Sequence, residues 1–565
     1  MGTFVFWGIF AVVIILAFIS SKRAVNAKKL SILNSFSQKG SSDYYCRKDY
    51  NTLKNESCFY NAMNDHNLRE VIFEDDNCIN VDAITVFDLE IDDLFCRMDR
   101  CVTSVGSEVL RERLLHQISA KEASRFNKLS DYLSSNGEIE KYIPALIDLG
   151  KTKGVGVFEV LKKLLKAKPY KYGKYIISDC LLLASILIIF VNPMLGASLL
   201  LIMMAVCVTM HFKEKEKMDE LLSSFRYLLK MINSYEKLKD SLKENEEFSY
   251  LFEDIDDMSS LSKGAFWLPK GASLTSNPVD IILDYVRMLL SVDIILFSKR
   301  ISDIKKYEKS IYRLYYCVGI IDSALALYKY KESLICYCDT NTAHDNANTI
   351  MIEGIYHPFL ENPVLNDITL SKDILLTGSN ASGKSTFIKA VGLCVIMMQS
   401  FGFAPAKTYL APWVEVMTSM ALRDDIRKGE SYYIVEAKSL KRIIDNTYSD
   451  HYVLCILDEI LKGTNTTERI ASSFGVLKSF IKDNVFVLAA THDYELTTML
   501  NQYEKYYFTE EIENNRVIFP YRIHKGVKAG KNAIKLLDIL GFSKDIVNTA
   551  SDMADLFEKN GKWEA

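Results

Sequence analysis

The chain has no dominant charge, no paired cysteine framework and no zinc motif. In its 565 residues, 68 basic and 72 acidic side chains leave a net charge of −4, so any contact with nucleic acid requires a local basic patch. Its twelve cysteines are scattered, and Cys336 and Cys338 have no second pair at zinc-binding spacing. We therefore expect reduced thiols, as in the cytosol, and no zinc.

Apolar residues are abundant by contrast. They form 49% of the chain and give a mean hydropathy of +0.04, which is high for a soluble protein and favours membrane segments. The length also exceeds what one hydrophobic core supports, so two to four domains are expected.

A short apolar strand at residues 373–377 runs into the pattern G-x-x-x-x-G-K-[ST] and then into an apolar-periodic helix. Glycines allow the backbone N–H groups to approach phosphates, the lysine reaches the β- and γ-phosphates, and the following hydroxyl binds Mg²⁺. The pattern predicts an ATP site with bound Mg²⁺. Its predicted nucleotide contacts are Gly378, Ser379, Asn380, Ala381, Ser382, Gly383, Lys384, Ser385 and Thr386.

Two further strands carry chemistry at their carboxyl ends. The apolar run from Val453 ends in Asp458 and Glu459, and the run from Val485 leads to His492. We expect Asp458 to hold Mg²⁺ together with Ser385. Glu459 is the candidate for polarising the attacking water, because hydrolysis depends on positioning and charge. His492 is placed to sense the γ-phosphate. Together with Lys384, these residues predict an ATPase.

Apolar segments predict three transmembrane helices. Met1–Ser21 has no charge, and its positive charges follow it, which favours an uncleaved anchor over a signal peptide. The segment Tyr175–His211 is too long for one crossing of a ~30 Å hydrocarbon core, and Asn192-Pro193 divides it into two spans of about 17 residues. A buried core hairpin of a soluble protein is the alternative.

Lysines flank the predicted hairpin on both outer sides. They are Lys162, Lys163, Lys166, Lys168, Lys171 and Lys174 before it, and Lys213, Lys215 and Lys217 after it. Positive flanks belong on the cytosolic side. The pattern therefore predicts a multi-pass protein of the cell membrane with its N-terminus outside and its ATPase domain in the cytoplasm.

The motifs and apolar stripes divide the chain into seven predicted regions. These are an anchor at 1–21, a cytosolic segment of unclear fold at 22–78, a helical core at 79–174, the membrane hairpin at 175–211, a second helical core and lever at 212–345, the P-loop ATPase domain at 346–525 and a helical dimerisation segment at 526–565.

Residues between and beyond the phosphate motifs resemble the MutS family of DNA mismatch-repair ATPases. The shared patterns are Gly429-Glu-Ser431 followed by Glu436, Leu457-Asp-Glu with Gly463-Thr464, Ala490-Thr-His with Glu495-Leu496, and, in the helical core, Leu94 to Leu114. The resemblance implies an ABC-like α/β P-loop ATPase domain joined to a mainly α-helical core and lever.

The resemblance also implies partners and further site residues. Two chains would form a homodimer in which Ser431 of one faces the γ-phosphate held by the other, while Asn380 lines the phosphate loop. Val364 stands where the family often has an aromatic against adenine, so Tyr521 is expected to supply that face. No mismatch-reading domain and no nuclease module are found in this sequence.

Three functions follow as hypotheses. The first is a membrane-anchored, MutS-like ATPase whose hydrolysis drives a clamp on double-stranded DNA. The second is an ATP-driven machine that remodels membrane or protein without DNA. The third, an ABC-type transporter, lacks the expected L-S-G-G-Q signature before Val453.

Overall fold

A computed structural model gives the fold. It describes residues 78–117, 119–134, 139–152, 156–169, 171–242, 245–263, 285–339, 348–379, 382–420, 432–449, 451–513, 516–528 and 533–560, together with positions 23, 27 and 31. The predicted anchor Met1–Ser21 and the segment at 22–78 therefore lie almost entirely outside the described residues.

The helices, numbered in chain order, are α1 Ala83–Asp88, α2 Ile91–Met98, α3 Ser104–Leu115, α4 Ala120–Ser134, α5 Ile139–Leu149, α6 Val157–Lys166, α7 Gly173–Ile189, α8 Pro193–Leu242, α9 Ser259–Ser262, α10 Val292–Ile304, α11 Glu308–Lys331, α12 Lys384–Phe401, α13 Tyr432–Asn446, α14 Thr466–Ser479, α15 Tyr494–Met499, α16 Ala533–Ile539 and α17 Lys544–Asn560. Two 3₁₀ turns are Glu246–Phe252 and Lys305–Tyr307.

The strands are β1 Ile79–Asn80, β2 His116–Gln117, β3 Cys338–Asp339, β4 Ile350–Ile355, β5 Asn366–Leu370, β6 Ile374–Thr377, β7 Phe403–Ala404, β8 Thr408–Leu410, β9 Val414–Ser419, β10 Tyr452–Asp458, β11 Val485–Ala490, β12 Glu504–Tyr507, β13 Glu511–Glu513, β14 Arg516–Ile518 and β15 His524–Lys525.

Two compact units divide the chain. The first contains residues 1–76, 96–112 and 128–333, and the second contains residues 77–95, 113–127 and 334–565. The region expected to form the first helical core is thus shared, because its pieces at 77–95 and 113–127 cluster with the ATPase unit. The first unit is helical in its described part, and the second combines helices with a mixed sheet.

Buried carboxylates organise the helical unit. Glu108 on α3 accepts the first N–H groups of α6, from Val157 at 2.5 Å and Phe158 at 3.0 Å, and also the Tyr315 hydroxyl at 2.5 Å. These bonds satisfy N–H groups that a helix start leaves unpaired. Asp322 on α11 does the same for the start of α3, accepting from the Thr103 N–H at 2.7 Å and hydroxyl at 2.6 Å.

The apolar hairpin lies in this unit as α7 and α8. Asn192 and Pro193 form its turn, as the sequence predicts, and α8 then continues unbroken for 50 residues. Only Pro193–Glu214 is long and apolar enough to cross a membrane among the described residues, and 11% of that apolar window is buried. Of the two predicted spans in the described part, one therefore has the length and hydropathy of a membrane span, and α7, with 17 residues, does not.

The central sheet of the second unit has the order β15-β12-β6-β11-β10-β9. All its neighbours are parallel except β15, which runs antiparallel to β12. Strands β6, β10 and β11 are almost continuously apolar and buried on both faces, as expected for a parallel sheet covered by helices. Their carboxyl ends therefore meet at one edge of the sheet.

The early segment around α1 is held against strand β9 by polar contacts within the second unit. Buried Asp88 accepts from the Thr418 hydroxyl at 2.8 Å and from the Met420 N–H at 3.0 Å. Asp82 caps α1 and pairs with Arg442 of α13. A helical stripe in the sequence predicts burial but does not identify the element it packs against, so the contact between α1 and β9 was not predictable.

Candidate nucleotide-binding site

The phosphate loop connects β6 to α12 in the centre of the sheet. Gly378 has φ +146° and Gly383 has φ +105°, backbone conformations that side chains disfavour. Gly383 immediately precedes the first turn of α12, whose N–H groups and dipole favour an anion. The strand–loop–helix context is thus the one that phosphate binding requires. Asn380 and Ala381 lie outside the described residues.

Lys384 lies over the loop. Its ammonium donates to the carbonyls of Gly378 at 2.7 Å and Ser379 at 2.8 Å, and the residue is 4% exposed. Burial lowers the pKa of Lys384, while the nearby carboxylates of Glu459 and Asp458 oppose that shift. The loop carbonyls thus hold the cation in place. Ser382 also closes the loop by donating to the Ser379 carbonyl at 2.8 Å, whereas Thr386 is exposed.

The proposed magnesium ligands are in direct contact. The Ser385 hydroxyl donates to Asp458 Oδ2 at 2.6 Å. Asp458 Oδ1 is buried and has no hydrogen-bond partner among the described residues. A buried carboxylate oxygen without a donor is costly, and it is the kind of hard oxygen that Mg²⁺ prefers. The pair fits Mg²⁺ bound by few protein ligands, and no cluster of three metal-ligating acidic, histidine or cysteine residues occurs in the described part.

Glu459 is held between His492 and Lys462 just beyond β10. His492 Nε2 contacts its Oε1 and Lys462 contacts its Oε2. The hydrogen bond from His492, followed by that from Lys462, lowers the pKa of Glu459 to about 2 although burial opposes the shift. Its backbone has φ +52°, an uncommon conformation for a side-chain-bearing residue. The carboxylate is thus ionised and oriented at neutral pH.

The turn behind Glu459 depends on Glu436. This residue belongs to the pattern Gly429-Glu-Ser431 followed by Glu436, but the sequence did not predict that it lies at the site. Its Oε1 accepts the Leu461 N–H at 2.5 Å, and Leu461 itself has φ +58°. Burial raises the pKa of Glu436. Lys462 was also missed, although its spacing of three residues from Glu459 offered a signal. Ser431 lies outside the described residues.

Tyr521 lies beside the loop. A Cβ placed on Gly383 would come within 3.0 Å of its ring, and the ring stacks on Phe519 with centroids 6.0 Å apart. Asn366 fixes this segment from β5, because its amide donates to the Tyr521 carbonyl at 3.0 Å and accepts the Ile523 N–H at 2.9 Å. Tyr521 is 47% exposed, so part of its surface is open to solvent beside the phosphate loop.

These elements define a P-loop ATPase site, with acidic and histidine residues at the ends of β10 and β11. Comparison with known families supports this class. Residues 374–558 match the family model of MutS domain V, an ABC-like P-loop ATPase domain.

Curated relatives narrow the class. The chain is 30% identical over 277 residues to the DNA mismatch repair protein MutS of Thermotoga maritima, covering 47% of this chain and 34% of the relative. It is 25% identical over 287 residues to MutS protein homolog 4 of Mus musculus, covering 47% and 29%. This chain is a MutS-family protein, and it spans about a third of the length of the curated relatives it matches.

Proposed function

We propose that this protein binds ATP with Mg²⁺ on the phosphate loop and hydrolyses it. The observation that carries the proposal is the meeting of three strand ends. Lys384 follows β6, Asp458 ends β10 with Glu459 directly after it, and His492 follows β11. A loop match alone would support nucleotide binding. Hydrolysis additionally needs an oriented carboxylate. Glu459 provides it, because His492 and Lys462 contact its two oxygens.

Each residue has a distinct part in the proposed reaction. Lys384 balances phosphate charge, and Ser385 and Asp458 hold Mg²⁺. The bound ion would neutralise charge that develops on the phosphate oxygens. Glu459 accepts a hydrogen bond from the attacking water, and its low pKa means that it orients water better than it removes a proton.

Two more residues have roles in the proposed ATP site, His492 and Tyr521. His492 fixes the Glu459 carboxylate by their direct contact, and it responds to the γ-phosphate. The Tyr521 ring carries the adenine on its exposed face.

The family supports a dimer acting on DNA. Relatives bear the name DNA mismatch repair protein, and we extend this to a mismatch-repair-related ATPase that closes as a homodimer on double-stranded DNA. Ser431 of one chain would complete the phosphate site of the other. ATP hydrolysis would then open and close the clamp.

The test measures ATP turnover of the purified full chain with homoduplex, mismatched and branched DNA at two salt concentrations. We expect DNA to stimulate turnover and salt to weaken the stimulation, because phosphate contacts release counterions. Lys384→Ala should be inactive, and Lys372→Ala, an exposed lysine just before β6, should match the parent. Turnover indifferent to all three DNAs would contradict DNA as partner.

A second candidate function is favoured by the hairpin of α7 and α8. Near its turn, Phe190, Val191 and Met194 are 84%, 87% and 85% exposed, and large apolar patches in water are unfavourable. Lysines at the hairpin base match anionic headgroups. We propose that the hairpin enters the cell membrane from the cytoplasmic side, with Met1–Ser21 as an additional anchor whose N-terminus is outside, so that ATP turnover remodels membrane or protein.

Vesicles distinguish this second function. Stimulation of ATP turnover by anionic lipid vesicles, with no response to DNA, would support membrane remodelling. Stimulation by DNA alone would contradict it.

A further inference from the structure

Glu510 brings a carboxylate to the phosphate loop that the proposed hydrolysis does not use. The residue is 8% exposed. Its Oε2 accepts the Ser379 hydroxyl at 2.5 Å. Ser379 also contacts the lysine of the phosphate loop, because the Lys384 ammonium donates to the Ser379 carbonyl at 2.8 Å.

The sheet explains how Glu510 arrives there. Strand β12 runs parallel to β6 and ends with Tyr507 opposite Thr377. The next residue continues the pairing, since the Phe508 N–H donates to the Thr377 carbonyl at 2.9 Å. Its own carbonyl oxygen would lie 2.7 Å from a Cβ at Gly378. The chain thus follows the loop for three more residues, and Glu510 reaches Ser379.

An anion beside a site for a triphosphate has two opposite effects. As a hydrogen-bond acceptor it fixes the loop residue Ser379, and a preorganised loop binds more tightly. As a charge it repels phosphates, and in a partly buried site this repulsion is weakly screened. The balance therefore sets how firmly the nucleotide is held.

We propose that Glu510 is a positioning residue that orders the phosphate loop through Ser379 and, by its charge, weakens binding of phosphorylated nucleotides. The inference rests on the proposed ATP site. It makes Glu510 a determinant of nucleotide release, because removing its charge while keeping its acceptor should tighten binding. The loop is ordered by the bond, and exchange of nucleotide is maintained by the charge.

The experiment measures equilibrium binding of three probes to the full chain: the non-hydrolysable analogue AMP-PNP with Mg²⁺, ADP with Mg²⁺, and adenosine. Glu510→Gln keeps an oxygen acceptor for Ser379 and loses the charge. Glu510→Ala loses both. Glu511→Gln, a change of the exposed neighbouring residue, is the matched control.

Glu510→Gln should bind AMP-PNP about tenfold more tightly than the control, the order expected for removing one repulsive charge a few ångströms away. The gain should be smaller for ADP and absent for adenosine, which carries no phosphate. Glu510→Ala should bind more weakly than Glu510→Gln, and Ser379→Ala should weaken AMP-PNP binding because the charge stays and the bond is lost.

Equal AMP-PNP affinity of Glu510→Gln and Glu511→Gln would overturn the electrostatic part. Equal affinity of Glu510→Ala and Glu510→Gln would overturn the positioning part. A gain of the same size for adenosine would overturn repulsion of phosphate as the cause. If the parent protein and the control fail to bind AMP-PNP at all, the proposed ATP site itself is wrong.

Discussion

The nucleotide site and the apolar hairpin depart from ordinary burial in opposite directions. In the site, Lys384 and Glu436 are each 4% exposed, whereas on the hairpin Phe190 and Met194 are 84% and 85% exposed. Charged residues are rarely buried without partners, and large apolar patches rarely face water. We propose phosphates and a cation as the ligands of the site, and lipid as the surroundings of the hairpin.

The two regions also differ in how the sequence determines their properties. The site combines residues from strands β6, β10 and β11, so its chemistry depends on long-range register. The hairpin is one contiguous stretch, and its character follows from local composition. Substitutions should therefore act by geometry and charge in the site, and by exposed apolar area in the hairpin.

The largest expected effect is the loss of ATP turnover in Glu459→Gln. Removing the carboxylate that orients water should slow hydrolysis by about 10²–10⁴-fold with nucleotide binding retained, measured as steady-state phosphate release. Glu361→Gln, an exposed glutamate in the same unit, should leave the rate unchanged. Parental turnover in Glu459→Gln would show that another group positions the water.

The pH dependence of ATP turnover tests whether Glu459 is ionised. Its pKa of about 2 lies below the value of about 4.3 for an unfolded glutamate. A lowered pKa contributes stability above pH ~4 that is lost as pH falls towards 2. Glu459 should therefore remain ionised from pH 5 to 9, and the turnover profile should show no acidic limb from it. An acidic limb near pH 6 in the parent that disappears in Glu459→Gln, followed through the residual rate, would contradict this.

A smaller loss is expected for nucleotide binding in Lys384→Ala. The variant removes a buried charge that faces the phosphates, and AMP-PNP affinity should fall roughly 100-fold, in line with a buried charge-assisted contact. Equilibrium titration measures it, with Lys372→Ala as control. Equal loss in both lysine variants would point to general electrostatics instead of a specific contact.

In the hairpin, Phe190→Trp reports where the turn lies. If the hairpin inserts, vesicles of brominated lipid should quench the added emission strongly, because the residue enters hydrocarbon. Leu360→Trp, placed at an exposed apolar residue of the other unit, should be quenched little. Both are read as differences from the parent, which has four tryptophans. Similar quenching at both positions would contradict insertion of the hairpin.

The smallest effect concerns the folding of the helical unit. Burial raises the pKa of Asp322 to about 6, although bonds from Thr103 and Val102 oppose the shift. A raised pKa contributes stability that is complete below pH ~4 and lost as pH rises through 6, about 3 kcal/mol at most. Denaturant unfolding of Asp322→Asn should show less dependence on pH than the parent between 4 and 6. An unchanged slope would assign the dependence to other groups.

Sequence patterns predicted the P-loop ATPase domain well because each fixed position has its own chemical reason. Gly383, Lys384 and Ser385 form a contiguous motif, and Asp458 ends a continuously apolar, buried strand. The contacts of Glu436 with Leu461 and of Glu510 with Ser379 were not predictable, since they join segments 25 and 131 residues apart. The roles of Ser431, Asn380 and Ala381 stay predictions.

The membrane hairpin was predicted less completely than the ATPase domain. Asn192-Pro193 predicted the turn correctly, because proline cannot continue a helix from before it. The number of spans was not predicted as well: only Pro193–Glu214 is long and apolar enough among the described residues. Hydropathy reports the composition of a short window of residues. The ends of a helix also depend on its tertiary contacts, which such a window does not include.

The proposed hydrolysis at Glu459 is tested by identifying the nucleotide that Glu459→Gln retains. The variant is incubated with ATP and Mg²⁺, separated rapidly from free nucleotide, denatured and analysed by chromatography. The predicted result is intact ATP, about one molecule per chain. Lys384 still binds the phosphates and Ser385 and Asp458 still bind Mg²⁺, but the water is no longer oriented. Recovery of ADP instead would contradict the assignment of Glu459 and with it the proposed hydrolytic site.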